Sequence, residues 1–113
     1  RVPPTGSDES ASRRPPHSFP MPLLIPSDLP PDVPEDFICP ISMAVMRLPT
    51  MTPMGTTYDW VPLSDWIERE RRYPANEAPG SLTLEELTPN RAVRNMIERW
   101  LAVRNRNMHA HAA

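Results

Sequence analysis

The chain has 113 residues with a formal net charge of −2, and 39% of its residues are hydrophobic. This charge argues against a nucleic-acid-binding protein, which normally carries a strong basic excess, and a single cysteine excludes an internal disulfide framework. No apolar run approaches the roughly 20 residues that a membrane-spanning helix needs, so neither nucleic acid nor membrane is an expected partner.

Residues 1–33 are rich in proline, serine and arginine, and 10 of the 17 prolines of the chain precede Glu35. Prolines separate the few apolar residues, so the segment buries too little apolar surface to offset the entropy of ordering it. The composition predicts a disordered linker, extended where prolines cluster. The apolar residues 23–25 could dock onto the folded part, but we interpret them as linker. About 70 residues are left to fold, which is small for a single core.

The foldable part begins at Pro34. A short apolar stretch at residues 37–41 is interrupted by Pro40, which cannot donate to a strand ladder, so this stretch predicts a loop. Residues 46–58 combine β-compatible side chains with two prolines and a glycine. They predict a small β-hairpin that turns at residues 53–55.

A first helix is predicted from Asp59, a good N-cap, and from the helical spacing of the apolar residues that follow it. This helix must end before Pro74, because the residue preceding a proline is pushed out of the α region. Residues 73–81 then form a loop. The alternation of residues 82–84 predicts one short third strand.

A second helix is the clearest element in the sequence. It starts at Pro89 and Asn90, its apolar residues recur with the helical period, and it ends near Asn105. The folded domain is therefore predicted to span residues 34–104, followed by a frayed tail at residues 105–113. The residues assigned to the core of the two helices are Leu63, Ile67, Val93, Met96, Ile97 and Trp100.

The second helix is also rich in arginine. Because acidic residues dilute these cations and the overall charge is negative, we interpret them as a solvated face and not as a nucleic-acid surface. The arginines concerned are Arg91, Arg94, Arg99, Arg104 and Arg106.

Several short fragments in one order carry a resemblance to a known family. They are residues 35–42 (EDFICPIS), Val45-Met46, Pro49, residues 55–59 (GTTYD), Leu63, Trp66-Ile67, Pro74, residues 87–90 (LTPN), Val93, Ile97 and Trp100. Their order and spacing closely resemble the U-box, the zinc-free relative of the RING domain of ubiquitin ligases. The resemblance covers residues 34–103. It implies an α+β, RING-like fold with a small β-hairpin, a short third strand, a central helix, two long loops and a C-terminal helix.

The residues themselves support the absence of metal. A RING domain holds two zinc ions with about eight Cys and His ligands, and this chain offers only Cys39 and three histidines in the flanks, His17, His109 and His111. Two zinc sites are therefore excluded, and no metal or other cofactor is expected. We interpret Cys39 as a small buried hydrophobe. The candidates for holding the loops by hydrogen bonds or ion pairs instead are Ser42, Asp59, Asn76, Glu77 and Asn90.

The resemblance also implies a function without a covalent intermediate. Such a domain docks a ubiquitin-charged conjugating enzyme and biases the thioester-linked ubiquitin toward a conformation that an amine can attack, so its contribution is positioning and no catalytic residue is expected. The residues carried over as the conjugating-enzyme site are Ile41, Met43, Trp66, Pro74 and Ala75. The alternative for Ile41, Met43 and Trp66 is an ordinary place in the core. For Ile41 we prefer the groove, because a bulky aliphatic residue directly after Pro40 is badly placed for a core.

Asn76 and Glu77 are the candidates for positioning ubiquitin. Glu77 stands where many members of the family carry an arginine or another donor, and a carboxylate has no donor to offer. If the role is retained, Asn76 or one of Arg71 and Arg72 substitutes. This departure motivates a second hypothesis, a catalytically silent interaction module that keeps the fold.

Twelve basic residues are present and all are arginine, so the domain cannot accept ubiquitin on a lysine of its own. The expected partners are a ubiquitin-charged conjugating enzyme and an unknown protein substrate, and a homodimer is left open. The Arg/Ala/Pro bias, the polar N-terminal segment and the divergent second loop motivate the hypothesis of a bacterial effector that acts in the cytoplasm of a eukaryotic host. A eukaryotic origin, also with a cytoplasmic location, stays open.

Overall fold

The described part of the chain, residues 14–112 of a computed structural model with side chains through Asn105, contains a small sheet and two α-helices. The strands are β1 (Pro49–Met51), β2 (Thr57–Asp59) and β3 (Thr88–Pro89), and the helices are α1 (Trp60–Glu70) and α2 (Arg91–Ala112). Short 3-10 turns occupy Glu35–Phe37, Pro74–Asn76 and Leu84–Glu86. This architecture confirms the predicted α+β class.

The sheet is antiparallel, with the strand order β2-β1-β3. β1 and β2 form the predicted hairpin, in which Thr50 lies opposite Tyr58. The turn is closed by the Thr52 amide, which donates to the Thr56 carbonyl over 3.0 Å. Gly55 adopts a φ of 89°, a conformation that glycine tolerates without steric cost. The sequence therefore placed both the hairpin and its turn correctly.

The third strand is not where the sequence predicted it. β3 pairs with β1 through Thr88 opposite Met51, whereas residues 82–84 form no strand and lead into the turn Leu84–Glu86. In that turn the backbone amide of Thr83 donates to the Glu86 carboxylate over 3.0 Å, as part of a capping box. The T-x-x-E pattern thus prevails locally over the apolar alternation of residues 82–84, and the prediction of a strand there was wrong.

Helix α1 begins at a buried carboxylate. Asp59 accepts hydrogen bonds from the backbone amides of Trp60, over 3.0 Å, and of Leu48, over 2.9 Å. The helix ends at Glu70, where Arg71 adopts a left-handed φ of 57° and donates its amide to the carbonyl of Ile67. Both the predicted cap and the predicted end before Pro74 are confirmed.

Helix α2 starts after Asn90, whose side-chain oxygen accepts from the amide of Val93 over 3.2 Å. The helix continues through Ala112, past Asn105 where the sequence predicted its end. Residues 105–112 contain neither proline nor glycine, so no strong helix breaker ends α2 at Asn105. Neither α1 nor α2, within the described range, is long and apolar enough to cross a membrane.

The core lies between the sheet, α1 and α2. Leu63 and Ile97 are fully excluded from solvent and Ile67 is buried, as predicted. Val93 and Trp100 are partly buried at its edge, where the Trp100 ring meets Phe37 edge-on at a centroid distance of 5.8 Å. The assignment of Met96 to the core was wrong, because this residue is 42% exposed. The buried hydrophobic residues are Leu23, Phe37, Cys39, Val45, Met46, Leu48, Tyr58, Trp60, Leu63, Ile67, Tyr73, Leu82, Leu87, Ile97 and Leu101.

The proline-rich residues 16–33, which we call the strap, lie against this domain. Leu23 is only 6% exposed, and its amide donates to the carbonyl of Arg47 over 2.8 Å. Phe19 packs edge-on against Trp60, with ring centroids 5.2 Å apart. These contacts hold the strap against the domain, whereas the sequence predicted that it is disordered. The expectation for residues 1–13 lies outside the described residues.

The Asp59→Ala substitution is expected to lower the free energy of unfolding by at least about 2 kcal/mol, because it removes an N-cap and leaves the buried Leu48 amide without its acceptor. Urea denaturation followed by circular dichroism measures the change. The exposed Asp36 provides the control, and its replacement by alanine should change stability by no more than about 0.5 kcal/mol. Equal effects of the two substitutions would contradict the role assigned to Asp59.

Candidate functional site

Two loops flank α1, and each is closed by an isolated β-bridge. The first loop, residues 38–45, is closed by the pairing of Ile38 with Val45, and the second loop, residues 71–82, by the pairing of Arg72 with Ser81. Each loop therefore leaves and rejoins the domain at one point. Across the described residues no group of three or more His, Cys, Asp or Glu side chains is placed to hold a metal ion.

The first loop is fastened to α1 through Cys39. The buried sulfur of Cys39 accepts a hydrogen bond from the backbone amide of Asp59, over 3.3 Å. Within the loop, the Cys39 carbonyl accepts from the amide of Met43 over 2.7 Å, and the Cys39 amide donates to the carbonyl of Ala44 over 2.9 Å. The thiol is thus a buried structural group, as the sequence interpretation holds.

The candidates of the first loop differ in exposure. Met43 is 73% exposed and has a left-handed φ of 61°, so its side chain is not part of the core. Ile41 is half-buried and packs against the core at its edge. The loop accordingly offers Met43 fully and Ile41 in part to a partner.

Trp66 lies at the junction of α1 and the second loop. Its indole Nε1 donates to the backbone carbonyl of Arg72 over 2.8 Å. The guanidinium carbons of Arg69 and Arg72 lie 5.7 Å and 5.2 Å from the ring centroid, within the range of cation–π attraction. Glu70 stands between these cations, 3.7 Å from Arg69 and 3.6 Å from Arg72. The half-buried indole is therefore oriented by a hydrogen bond and flanked by two positive charges.

Arg72 connects this indole to the tip of the second loop. Its Nη1 donates to the side-chain oxygen of Asn76 over 2.9 Å. Ala75 and Asn76 are both exposed and adopt left-handed φ values of 57° and 54°. Pro74, which the resemblance assigns together with Ala75 to the second-loop wall of the groove, is buried, so its side chain supports the loop from inside.

Glu77 turns toward the β-hairpin. Its Oε1 lies 3.5 Å from the hydroxyl of Thr52, at the limit of a hydrogen bond. Burial raises the pKa of Glu77 above its usual 4.5, and the Thr52 hydroxyl only partly offsets this. The pKa of Tyr58 is raised to about 12, first by burial and then by the nearby charge of Glu77. Through this contact with Thr52 the side chain of Glu77 lies against the β-hairpin, whereas Asn76 is exposed at the loop tip.

The structure therefore brings Trp66, Ala75 and Asn76 to one surface with Arg69 and Arg72. From the sequence, Arg72 was named only as one substitute donor and Arg69 was not identified. Arg69 lies three residues after Trp66 on the same helix, and this spacing predicts that the two side chains are neighbours. Arg71 ends α1 and lines a separate groove with residues 81–85.

Among the five polar residues proposed to hold the loops, Ser42, Asn76 and Glu77 form side-chain hydrogen bonds in or from the loops. The side chains of Asp59 and Asn90 bond to residues outside the loops. Among the described residues, no buried side-chain nitrogen or oxygen lacks a partner. The bonds beyond those given above are Ala44 N to Ser42 Oγ at 3.3 Å and Asn90 Nδ2 to Thr57 Oγ1 at 2.9 Å.

Comparison with known proteins agrees with this geometry. The model of the U-box domain family matches residues 33–106. The chain is 38% identical over 69 residues to the "E3 ubiquitin-protein ligase PUB24" of Arabidopsis thaliana, a match that covers 61% of this chain and 15% of that protein. It is 39% identical over 71 residues to the "U-box domain-containing protein 4" of Oryza sativa subsp. japonica, covering 63% of this chain and 10% of that protein. It is 37% identical over 70 residues to the "WD repeat, SAM and U-box domain-containing protein 1" of Gallus gallus, covering 61% and 14%.

The Ala75→Gly substitution is expected to stabilise the fold by roughly 0.5–1 kcal/mol, because glycine adopts the left-handed conformation without the penalty that a Cβ brings. The control is Ala44→Gly in the first loop, where φ is not positive and glycine should be destabilising. Thermal unfolding of both variants measures the difference. A loss of stability in both would contradict the strained conformation of Ala75.

The Glu77→Gln substitution is expected to stabilise the protein at pH 7 and to have little effect below pH 4.5. Because the folded protein raises the pKa of Glu77, its ionised form costs stability, and this cost appears as the pH rises through the pKa of the folded state. Urea denaturation at both pH values measures the effect, with Glu85→Gln at an exposed carboxylate as the control. A gain that is larger in acid than at pH 7 would have the wrong sign.

Proposed function

The chain belongs to the U-box family, and on that premise we propose that its folded part docks a ubiquitin-charged conjugating enzyme and promotes transfer of ubiquitin to an amine of a protein substrate. The chain spans 15% or less of the length of the three relatives described above, so this activity is proposed for the domain as part of a larger system. In this proposal the protein substrate is selected by a part of that system other than this domain.

The observation that carries the proposal is the fixed indole of Trp66 at the junction of α1 and the second loop. A docking surface contributes affinity when its apolar anchors are already oriented, because less side-chain entropy is then lost on binding. Trp66 meets this requirement through its hydrogen bond to the Arg72 carbonyl and the two guanidinium groups beside it. Met43 and Ala75, both exposed and in left-handed conformations, are the residues by which we propose that the two loops extend this surface.

The proposed mechanism is positioning. The domain supplies no nucleophile and no base, and instead holds the conjugating enzyme and its ubiquitin so that the incoming amine meets the thioester in a reactive geometry. Hydrogen-bond donors that contact both proteins would restrict the motion of the ubiquitin. Arg72 and Asn76 are the residues we assign to this role, since the Asn76 oxygen is engaged by Arg72 and its NH2 group is left as a donor.

The charges beside the indole indicate the character of the partner. Arg69 and Arg72 outnumber the one carboxylate between them, Glu70, so this rim keeps a net positive charge and the docked face of the conjugating enzyme is expected to carry acidic groups. Added salt should then lower the association rate, because it screens these charges, and should weaken the apolar contact less.

One observation favours a second candidate, a catalytically silent interaction module. Glu77, at the position where a donor is expected in the family, contacts Thr52 in the hairpin and carries no proton to donate when it is ionised. In this alternative the surface around Trp66 binds a conjugating enzyme without activating its thioester.

For the location, we propose the cytoplasm of a eukaryotic cell, because ubiquitin and its conjugating enzymes are found there. Whether that cell is the source of the protein or the host of a bacterial effector stays a hypothesis. A homodimer stays open as well.

In a ubiquitination assay with a panel of conjugating enzymes, we expect the full chain to form ubiquitin conjugates and Ile41→Ala and Arg72→Ala to reduce the rate at least about tenfold. The control is Met54→Ala, which changes an exposed residue in the hairpin turn and should leave the rate unchanged. Binding of each conjugating enzyme is measured in parallel by NMR titration. Binding without conjugates would support the silent module, and the absence of binding across the panel would overturn both proposals.

A further inference from the structure

The family match begins at residue 33, yet the strap upstream of it is bound to the domain. Two apolar side chains anchor it. The Phe19 ring packs edge-on against Trp60, at an interplanar angle of 63°, and Leu23 is buried in the core. Arg47 holds Leu23 from both sides, accepting from its amide over 2.8 Å and donating Nε to its carbonyl over 3.1 Å. Two anchors four residues apart thus fix the register of the strap.

Three arginines of α2 bind backbone carbonyls of the strap. Arg91 donates to the carbonyl of Ser18, and Arg94 Nε donates to the carbonyl of Met21 over 2.9 Å. Arg104 donates to the carbonyl of Asp28 over 2.7 Å and lies 3.3 Å from the Asp28 carboxylate. The contacted residues rise in number together on the two segments, so the strap runs parallel to α2.

Two of these three arginines are largely buried where they contact the strap. The side chains of Arg94 and Arg104 are only 16% and 14% exposed. The sequence predicted that both arginines belong to a solvated face, and this prediction was wrong. Arg99 on the same helix is exposed, as predicted. A guanidinium withdrawn from water needs hydrogen-bond partners, and the strap carbonyls supply them.

The composition of the strap suits this arrangement. Pro20 and Pro22 lie between the two anchors and restrict the unfolded chain, which lowers the entropy lost when the segment becomes ordered. A proline-rich segment also has few intramolecular hydrogen bonds, so its carbonyls are available to external donors. Recognition therefore combines carbonyl contacts that any sequence can make with side-chain contacts that require particular residues, among them the apolar anchors Phe19 and Leu23 and the carboxylate of Asp28.

We propose that Arg47, Trp60, Arg91, Arg94 and Arg104 form a recognition site for an extended proline-rich peptide whose resident ligand is residues 18–28 of this chain. The ligand class is a segment with an aromatic and an aliphatic anchor four residues apart. Because the strap is joined to the domain by a short connection, its local concentration is high and a separate peptide of equal affinity is excluded. The site shares no residue with the proposed conjugating-enzyme surface around Trp66, and its test needs no ubiquitin.

Hydrogen exchange of the Leu23 amide in the full chain tests the residence of the strap. We expect this amide to be protected in the parent protein and to lose at least about tenfold of its protection in the double variant Arg94→Ala/Arg104→Ala. Arg99→Ala is the matched control on the same helix and should retain the protection. The Ile97 amide, in the core of all three proteins, reports that the fold is intact. A Leu23 amide that exchanges as in an unstructured peptide, or that is equally protected in the double variant, would overturn the proposal.

A synthetic peptide of residues 16–28 tests recognition. It is added to the full chain carrying Phe19→Ala/Leu23→Ala, which weakens the resident ligand, and to the parent, while NMR follows the Trp60 indole resonance. The proposal expects a shift in the variant and none, or one at least about tenfold weaker, in the parent. No shift in either protein would overturn the recognition site, and equal shifts in both would overturn the residence of the strap.

Discussion

The carboxylate of Asp59 is the point on which the candidate site depends. It accepts from the amides of Leu48 and Trp60, so it joins the segment that leads into β1 to the start of α1. The backbone amide of Asp59 donates to the sulfur of Cys39, which is a residue of the first loop. In a domain of this size a single apolar core contributes little stability to spare, and a buried, fully bonded carboxylate replaces part of what a metal ion provides in RING domains.

Backbone strain is concentrated in the same region. The described non-glycine residues with positive φ are Met43, Arg71, Ala75 and Asn76, and all four belong to the first loop or the second. Such conformations persist only where surrounding contacts determine them, and here the two bridges and the Arg72–Asn76 bond do so. The loops are accordingly expected to meet a partner as preformed surfaces, which reduces the entropy lost on binding.

The predictable parts of this protein were those determined by local pattern. The hairpin, the cap at Asp59, both helices and the buried Leu63 and Ile97 follow from turn chemistry and helical spacing. The third strand was misplaced because a capping box at Thr83 competes with strand alternation, and the burial of Pro74 and the orientation of Glu77 are set by tertiary contacts. Docking of residues 23–25 was an open alternative in the sequence, but the contacts of the α2 arginines with the strap could not be predicted, because they are made to backbone carbonyls, which every residue carries.

The strap also determines where the polypeptide departs from the domain. Arg91 and Arg104 are separated by about 20 Å along the helix axis, and the strap begins at the Arg91 end. The chain upstream of Ser18 consequently leaves the domain beside Arg91, at the start of α2, and not at Val33, where the family-matched region begins. The reach of a flexible arm grows with the square root of its unbound length, so immobilising the strap shrinks the volume that such an arm searches. Binding of the strap therefore determines how much of the chain upstream of the domain is free to extend from it.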